Sequence, residues 1–362
     1  MFGKMINNYY YGKSGKGDFR KEDLPKNRWQ LFWEMLRVRL SALCRMNLMT
    51  LIAFLPTIIL LGNTILTLIN GVSLQSELAA VVQDAGVVMT EDVTQEAYNE
   101  LATQALLAAE RTGEEVNYFL NFNLREFFQA LLWRACIYLI PCIAITGPVQ
   151  AGMSYVTRNW ARDEHAFVWA DFKDAVRDNW KQALAVSVIT SFLPAVLYMC
   201  WNFYGNMASE RGAFFMVPQM LVALLALLWV LGLTYMYPMM VSYKAKLSVI
   251  IKNSLLMGVA RLPQTVGARL ATALPCIVCA LLLFATGAGM YALLALALYY
   301  ALIGYALSRF VFASVSNAAF DKFINSHMEG VPVNRGLSLE DEEDEDEDGE
   351  KTAQEQDGAP RA

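Results

Sequence analysis

The chain has 362 residues, of which 56% are hydrophobic and 17% are charged, and its mean hydropathy is +0.33. An average soluble domain carries about 25% charged residues, so this composition argues against an ordinary soluble domain. The net charge of −5 divides into −10 over residues 320–362 and +5 over the rest. The rest of the chain is therefore basic, and its acidic residues concentrate at one end.

Five long stretches contain no charged residue: 46–76, 135–157, 182–209, 212–243 and 270–308. A helix of about 20 apolar residues crosses the hydrocarbon core of a bilayer. The last stretch is too long for one helix and contains Thr286-Gly287-Ala288-Gly289, which is typical of a tight turn. The sequence therefore predicts an all-α membrane protein with six spans, at about 46–69, 135–157, 183–204, 214–240, 270–287 and 291–313.

Lysine and arginine residues predict the orientation of the spans, because they concentrate in cytoplasmic loops. Ten lie in residues 1–45 and five in each of the loops 158–181 and 244–269, whereas 71–126 holds two against ten acidic residues. Both termini are therefore expected in the cytoplasm, and the basic inner face is expected to contact anionic lipid headgroups. The N-terminal sequence lacks the apolar core of a signal peptide, so the first span is expected to act as a signal-anchor.

Three segments before the odd-numbered spans have apolar residues at helical spacing with polar residues opposite. The apolar faces consist of Trp29, Phe32, Trp33, Leu36, Leu40 and Leu43; of Trp169, Phe172, Val176 and Trp180; and of Ile251, Leu255, Val259 and Leu262. A proline follows in each odd-numbered span, at Pro56, Pro194 and Pro275. These features predict three hairpin units, each preceded by a cytoplasmic amphipathic helix. Trp169, Trp180 and Arg134, at the outer end of the second span, are predicted interface anchors.

The chain is predicted to contain a polar N-terminal arm (1–27), an amphipathic helix with the first span (28–70), an extracytoplasmic helical insertion (71–126), a membrane domain with five further spans (127–319) and an acidic disordered tail (320–362). In the insertion, Thr90 marks a helix start and Gly113 the end of that helix. An outer interfacial belt is predicted from the aromatic residues Tyr118, Phe119, Phe122, Phe127 and Phe128.

The sequence contains no phosphate-binding glycine loop, dinucleotide-binding glycine string or Gly-x-Ser-x-Gly motif. Its two histidines, His165 and His327, are too few for a histidine-based zinc site. Cys276 and Cys279 have thioredoxin-like spacing but lie inside a span, where apolar packing explains them. All six cysteines fall in or beside spans, so no disulfide framework is expected. We expect no enzyme activity, no metal or other cofactor, and no nucleic-acid partner.

The most distinctive local sequence runs from Thr146 to Gly152 in the second span and is preceded by Pro141. Two prolines and two glycines in so short a segment break or bend a helix. Close packing of helices explains them, and the alternative is a cleft in which exposed backbone groups bind a ligand. The candidate cleft residues are Pro141, Gly147, Pro148 and Gly152.

The pattern Thr146-Gly147-Pro148-x-x-Ala151-x-x-x-Tyr155-Val156-x-Arg158, followed by Asp171-Phe172 and by Asn179-Trp180-Lys181-Gln182-Ala183, resembles the YesL-like family of bacterial multi-span membrane proteins of unknown function. The resemblance covers about 30–56 and 138–184. It implies a multi-span protein of the bacterial cytoplasmic membrane, loosely linked with carbohydrate uptake, and it implies no activity and no binding residues.

We therefore expect a non-enzymatic accessory component of a transport or envelope system that acts through a membrane protein partner. The alternative is an autonomous transporter of a small neutral solute such as a sugar. Uncharged polar residues of the spans, among them Ser187 and Gln219, would line its path. The same residues also serve to cross-link helices by hydrogen bonds in other membrane proteins.

Overall fold

The computed structural model describes residues 25–90, 93–285 and 289–337, and this part of the chain is helical, with no β-strand. Its α-helices are α1 (Arg28–Asp84), α2 (Gln95–Ala108), α3 (Gly113–Asn121), α4 (Leu124–Ala144), α5 (Thr146–Trp160), α6 (Ala170–Arg211), α7 (Met216–Ser242), α8 (Leu247–Ala260), α9 (Leu262–Ala285), α10 (Gly289–Tyr299) and α11 (Tyr305–Phe323). A π-helical turn, Tyr300–Gly304, joins α10 to α11. The all-α class is confirmed.

Six helical segments are long and apolar enough to cross a membrane: Arg28–Asp84, Leu124–Ala144, Ala170–Arg211, Ala213–Ser242, Leu262–Leu283 and Gly289–His327. The predicted number of spans is confirmed, and these segments fit a multi-pass membrane protein. The predicted turn at 286–288 lies outside the described residues. α9 ends before it and α10 begins after it, as two separate apolar helices.

The described residues form two compact units. One comprises those within Met1–Met49, Gln150–Trp180 and Leu228–Ala362, and the other comprises Thr50–Val149 and Lys181–Leu227. We call them unit 1 and unit 2. The limits of both units fall inside helices α1, α5, α6 and α7, so neither unit is a separate stretch of sequence.

The second span begins and ends earlier than predicted. α4 covers Leu124–Ala144 and a new helix starts at Thr146, whereas the sequence predicted one span over 135–157. Asn123 fixes the start, because its side-chain oxygen accepts hydrogen bonds from the backbone N–H groups of Arg125 and Glu126. The uncharged stretch 135–157 alone could not reveal this start. The cap at Asn123 places the charged residues Arg125, Glu126 and Arg134 inside the helix.

α1 is longer than the amphipathic helix and first span that the sequence predicted. Its 57 residues continue without interruption past the predicted boundary at residue 70. Its first turns bury Leu31 and Met35, whereas Trp29 and Trp33 of the predicted apolar face are 68% and 50% exposed. In these turns, the side chains that pack against the rest of the protein therefore lie on a different face of the helix from Trp29 and Trp33.

The insertion is helical, but its helices start and stop at other residues than predicted. α2 begins after Thr94, whose hydroxyl accepts a hydrogen bond from the N–H of Ala97, and not after Thr90. Gly113 begins α3 and does not end α2, because Thr112 and Glu115 form a reciprocal capping box there. Capping interactions, and not the glycine, set these boundaries.

A small apolar core holds the insertion to the end of α1 within unit 2. Its buried members are Leu78, Val82, Ala102, Leu106, Val116 and Phe119. Tyr118 donates a hydrogen bond to the carbonyl oxygen of Gly71 at 2.9 Å, and its ring lies 5.2 Å from that of Phe122. Of the predicted aromatic belt, Phe119 points into this core and is therefore not an interfacial residue.

The start of the predicted acidic tail is ordered. Phe320 and Asp321 are buried in α11, and Asp321 forms an ion pair with Arg28. Asn325 donates a hydrogen bond to Asp321 and accepts one from the Tyr243 hydroxyl at 2.7 Å. Burial raises the pKa of Tyr243 to about 12. α11 therefore continues past the predicted tail boundary at residue 320. The predicted arm, except for 25–27, and the acidic run at 340–348 lie outside the described residues.

Acidification is expected to weaken the start of α3. The pKa of Glu115 is lowered, chiefly by the hydrogen bond from the backbone N–H of Thr112. A lowered pKa means that the stabilisation is complete above the ordinary value of 4.5 and is lost as pH falls through the lower folded-state value. Amide-exchange protection factors over Gly113–Asn121, corrected for intrinsic rates, should fall in that range.

The matched control is Glu115→Gln, which keeps an acceptor for Thr112 but does not titrate. Its protection factors should depend less on pH than those of the wild type. The same pH dependence in both proteins would show that the capping box is not its cause.

Candidate functional site

Arg269 and Arg309 lie on two apolar helices of unit 1 that are in contact with each other. Arg269 belongs to α9 and Arg309 to α11, and both residues lie within candidate membrane spans. A charged side chain at membrane depth is costly and in most proteins marks a functional position. Neither residue was among the predicted site residues, because Arg269 was assigned to a cytoplasmic loop and Arg309 directly follows an uncharged stretch.

Arg269 is held by one polar and one aromatic contact. Its Nε donates a hydrogen bond to the hydroxyl of Thr234 on α7 at 2.9 Å. Its guanidinium carbon lies 4.5 Å from the centre of the Phe312 ring, a distance typical of a cation–π contact. Its Nη2 atom is buried and has no hydrogen-bond partner.

Arg309 has a similar set of contacts. Its Nη2 donates a hydrogen bond to the side-chain oxygen of Gln150 on α5 at 2.7 Å. Its guanidinium carbon lies 5.2 Å from the Tyr237 ring centre and 5.4 Å from the Phe312 ring centre. Its Nη1 atom is buried without a hydrogen-bond partner. Phe312 therefore contacts both guanidinium groups, and we call Arg269, Arg309 and Phe312 the arginine cluster.

No carboxylate lies within ion-pairing distance of either arginine in the described part of the chain, where the ion pairs involve Arg28, Arg111, Arg162 and Arg335. Nor do the described residues contain a group of three or more His, Cys, Asp or Glu side chains that could hold a metal ion. The arginine cluster supplies positive charge and N–H donors, which suit an anionic oxygen.

The π-helical turn Tyr300–Gly304 lies directly before α11. The fully buried side chain of Asn47, on α1 in the same unit, donates hydrogen bonds to the carbonyl oxygens of Tyr300 and Ala301 at 2.9 and 2.8 Å. Its oxygen accepts a hydrogen bond from the N–H of Ala306 at 2.9 Å. One side chain thus supplies partners at the start of the turn and just after its end, and Arg309 follows in α11. Turns of this kind are frequent at functional sites.

The predicted helix break at Gly147 and Pro148 has a structural explanation within unit 2. Pro148 has no N–H, so it cannot donate to the carbonyl oxygen of Ala144 four residues earlier. The hydroxyl of Ser187 on α6 donates to that oxygen instead, at 2.7 Å. Gly147 permits this approach, because a Cβ there would lie 2.2 Å from the Ser187 hydroxyl oxygen and 2.5 Å from the Ala183 carbonyl oxygen.

Gly152 and Pro141 belong to different helices, α5 and α4. In unit 1, a Cβ at Gly152 would lie 2.7 Å from the Phe172 ring and 2.7 Å from Val176, so this glycine also permits close packing. Pro141 lies in the last turn of α4. Close packing, the first interpretation from the sequence, is what the structure shows at Gly147 and Gly152, and the alternative, a ligand-binding cleft beside them, stays a prediction.

The three predicted interface anchors have exposed side chains. Trp169 is 63% and Trp180 is 46% exposed. Arg134 lies in the middle of α4 and not at the end of a span, because α4 begins at Leu124. Exposure is what a lipid-facing residue would show, and the anchoring role stays a prediction.

The cysteines, the histidine His165 and the polar span residues that the sequence analysis considered make the following contacts. All six cysteines are free, and the Cys276 sulfur lies 3.2 Å from the Tyr300 hydroxyl. The ring of His165 contacts that of Phe167, with 4.6 Å between ring centres. Of the polar span residues, Ser187 and Gln219 both bond backbone carbonyls of unit 2, those of Ala144 and Trp201.

A family model described as a protein of unknown function, DUF624, matches residues 127–201. The match covers less than half of the chain; it includes the break at Gly147 and Pro148 but neither arginine of the cluster. It is compatible with the resemblance over 138–184. No curated protein and no solved structure matches the chain significantly.

Replacing Asn47 should destabilise the protein strongly. Asn47→Ala removes this partner from the carbonyl groups of Tyr300 and Ala301 and from the N–H of Ala306, at a cost of about 1–3 kcal/mol for each group left unpaired. Thermal unfolding in a mild detergent should therefore begin at a clearly lower temperature than for the wild type.

The control is Asn202→Ala, because the Asn202 side chain donates to the Tyr198 carbonyl oxygen in its own helix, at 3.0 Å, and bonds no other helix among the described residues. That carbonyl group lies in a regular helix, so this variant should unfold close to the wild-type temperature. Equal losses in the two variants would contradict the role assigned to Asn47.

Proposed function

We propose that this protein is a non-enzymatic component of the bacterial cytoplasmic membrane that assists a transport or envelope system through contacts with a membrane protein partner. The observation that carries the proposal is the length of two helices. α1 has 57 residues and α6 has 42, whereas about 20 residues cross the bilayer core. More than half of each helix is therefore available outside the core.

These extensions are held by specific contacts. The first turn of α1 is fixed by the Arg28–Asp321 ion pair and by a hydrogen bond from Arg28 to the Asn334 side chain at 3.0 Å. Its last turns pack against the insertion through Leu78 and Val82. Rigid helical segments of this kind suit contacts with another protein, because little conformational entropy is lost when they bind.

The proposal includes the orientation and the three-hairpin arrangement inferred from the sequence. Both termini face the cytoplasm, and the segments with Trp29, Trp169 and Ile251 lie as amphipathic helices on the inner surface against anionic headgroups. Exposure of Trp29, Trp33, Trp169 and Trp180 supports the surface location. The match over 127–201 supports membership of the YesL-like family and, through it, a link with carbohydrate uptake.

A second candidate is an autonomous transporter. The π-helical turn beside an arginine in an apolar helix favours it, because irregular helices line solute paths in transporters. Saturable uptake by proteoliposomes would support it, and no uptake over a broad panel of solutes would count against it. Gly152→Leu, which would block a cleft, is unsuitable as a test because Phe172 and Val176 already fill the space.

Single cysteines should report the proposed orientation. Ser76, Glu100 and Asp174 have exposed side chains, so each is accessible to a reagent on its own side of the membrane. In a cysteine-free background, Ser76→Cys and Glu100→Cys should react with an impermeant thiol reagent in intact cells, and Asp174→Cys should react only after permeabilisation. The reverse pattern would overturn the orientation.

A stoichiometric partner should co-purify with the tagged protein after gentle extraction from native membranes. The test variant is Arg28→Ala, which removes the ion pair between the start of α1 and Asp321. It should reduce the amount of partner recovered relative to the wild type. A wild-type protein that always purifies alone would contradict the accessory role.

A further inference from the structure

We propose that Arg269 and Arg309 bind an anionic group with phosphate-like or carboxylate-like oxygens, carried either by a soluble molecule or by a lipid headgroup. The inference goes beyond the proposed function, since an accessory component and a transporter could each use such a site.

The first argument is that the two arginines retain N–H donors that the protein does not use. Each guanidinium has five N–H groups in a fixed fork. One nitrogen of each is engaged, by Thr234 or by Gln150, while Nη2 of Arg269 and Nη1 of Arg309 are buried without a partner. Buried donors without partners are rare in folded proteins and call for an explanation such as a bound ion. One nitrogen each of Arg39, Arg158 and Arg162 is also buried without a hydrogen-bond partner. Arg269 and Arg309 differ from these in that both contact the Phe312 ring, so their unpaired donors belong to one cluster.

The second argument is charge. Arginine stays protonated under all physiological conditions. Two guanidinium groups beside one Phe312 ring repel each other, and no carboxylate of the described residues is near enough to neutralise them. Uncompensated buried charge is strongly unfavourable, so a bound anion would relieve both the repulsion and the missing hydrogen bonds.

The third argument is that the arginines are positioned from several sides. Thr234 and Gln150 come from helices other than those of the arginines, and the Phe312 and Tyr237 rings contact the guanidinium groups. These contacts orient the guanidinium groups and leave other N–H groups unpaired. A prearranged fork of donors is the geometry that binds phosphate and carboxylate by two parallel hydrogen bonds.

The test uses the full-length protein in nanodiscs of phosphatidylcholine, in a buffer whose only anion is chloride. In one arm, inorganic phosphate is added against sodium chloride at matched ionic strength. In the other, part of the phosphatidylcholine is replaced by phosphatidylglycerol and no phosphate is added. Anything that binds the folded state raises the unfolding temperature, so the midpoint of thermal unfolding is the readout.

The wild type should be stabilised saturably in at least one arm. Stabilisation by phosphate alone identifies a soluble anion as the ligand, stabilisation by phosphatidylglycerol alone identifies a lipid headgroup, and both together show that the site accepts either. Arg269→Gln and Arg309→Gln should each weaken the apparent affinity roughly ten- to hundred-fold, the loss of a charge-assisted hydrogen bond.

The matched control is Arg177→Gln, which removes an exposed arginine of α6 and should leave the response unchanged. If the glutamine variants do not fold, the double variant Arg269→Lys/Arg309→Lys decides, since it keeps both charges but loses the fork. Its affinity should fall several-fold. Absence of saturable stabilisation in both arms, or wild-type affinity in the glutamine or double lysine variants, would overturn the proposal. Co-purification of a partner would be unaffected by that result.

Discussion

In the hydrocarbon core of a bilayer there is no water to bond a backbone group that has lost its helical partner, and each such group costs several kcal/mol. Two irregular places in the apolar helices satisfy this constraint with a side chain from another helix. Ser187 bonds the Ala144 carbonyl oxygen that Pro148 leaves free, and Asn47 bonds the π-helical turn before α11. Both side chains are fully buried, as their role requires.

The arginine cluster is different, because protein groups satisfy it only in part. Thr234 and Gln150 each occupy one nitrogen, and the aromatic rings offer their faces, but buried guanidinium donors remain. A backbone group can be satisfied by one hydroxyl, whereas a charge requires an opposite charge. The same constraint that explains the break and the π-helical turn therefore points to something outside the chain at Arg269 and Arg309.

Long uncharged stretches were sufficient to predict the fold class and the number of spans, because a bilayer imposes one composition on every helix that crosses it. Helix ends were predicted less well. Caps at Asn123, Thr94 and Thr112 fix them, and short polar residues of this type occur at many other positions that are not caps. The prediction at Gly147 and Pro148 found an irregular helix but could not identify Ser187 as its partner.

The arginine cluster was missed for a physical reason. Arg309 ends an uncharged stretch, and a terminal arginine normally reaches the interface by extending its side chain. Only the packing of α7, α9 and α11 within unit 1 shows that its guanidinium lies against Phe312 and Tyr237. The sequence did contain a sign of the arginine cluster. Arg269 directly precedes and Arg309 directly follows the uncharged stretch 270–308, so a hairpin within this stretch brings the two arginines together.

The contacts of Asn47 also constrain how the membrane domain assembles. Asn47 and Tyr300 are 253 residues apart, so their helices enter the membrane at different times during synthesis. An α-helical turn satisfies its own backbone and is stable in a bilayer alone, whereas the π-helical turn depends on Asn47 for part of its hydrogen bonding. The turn is therefore a property of the assembled helices and not of its own segment.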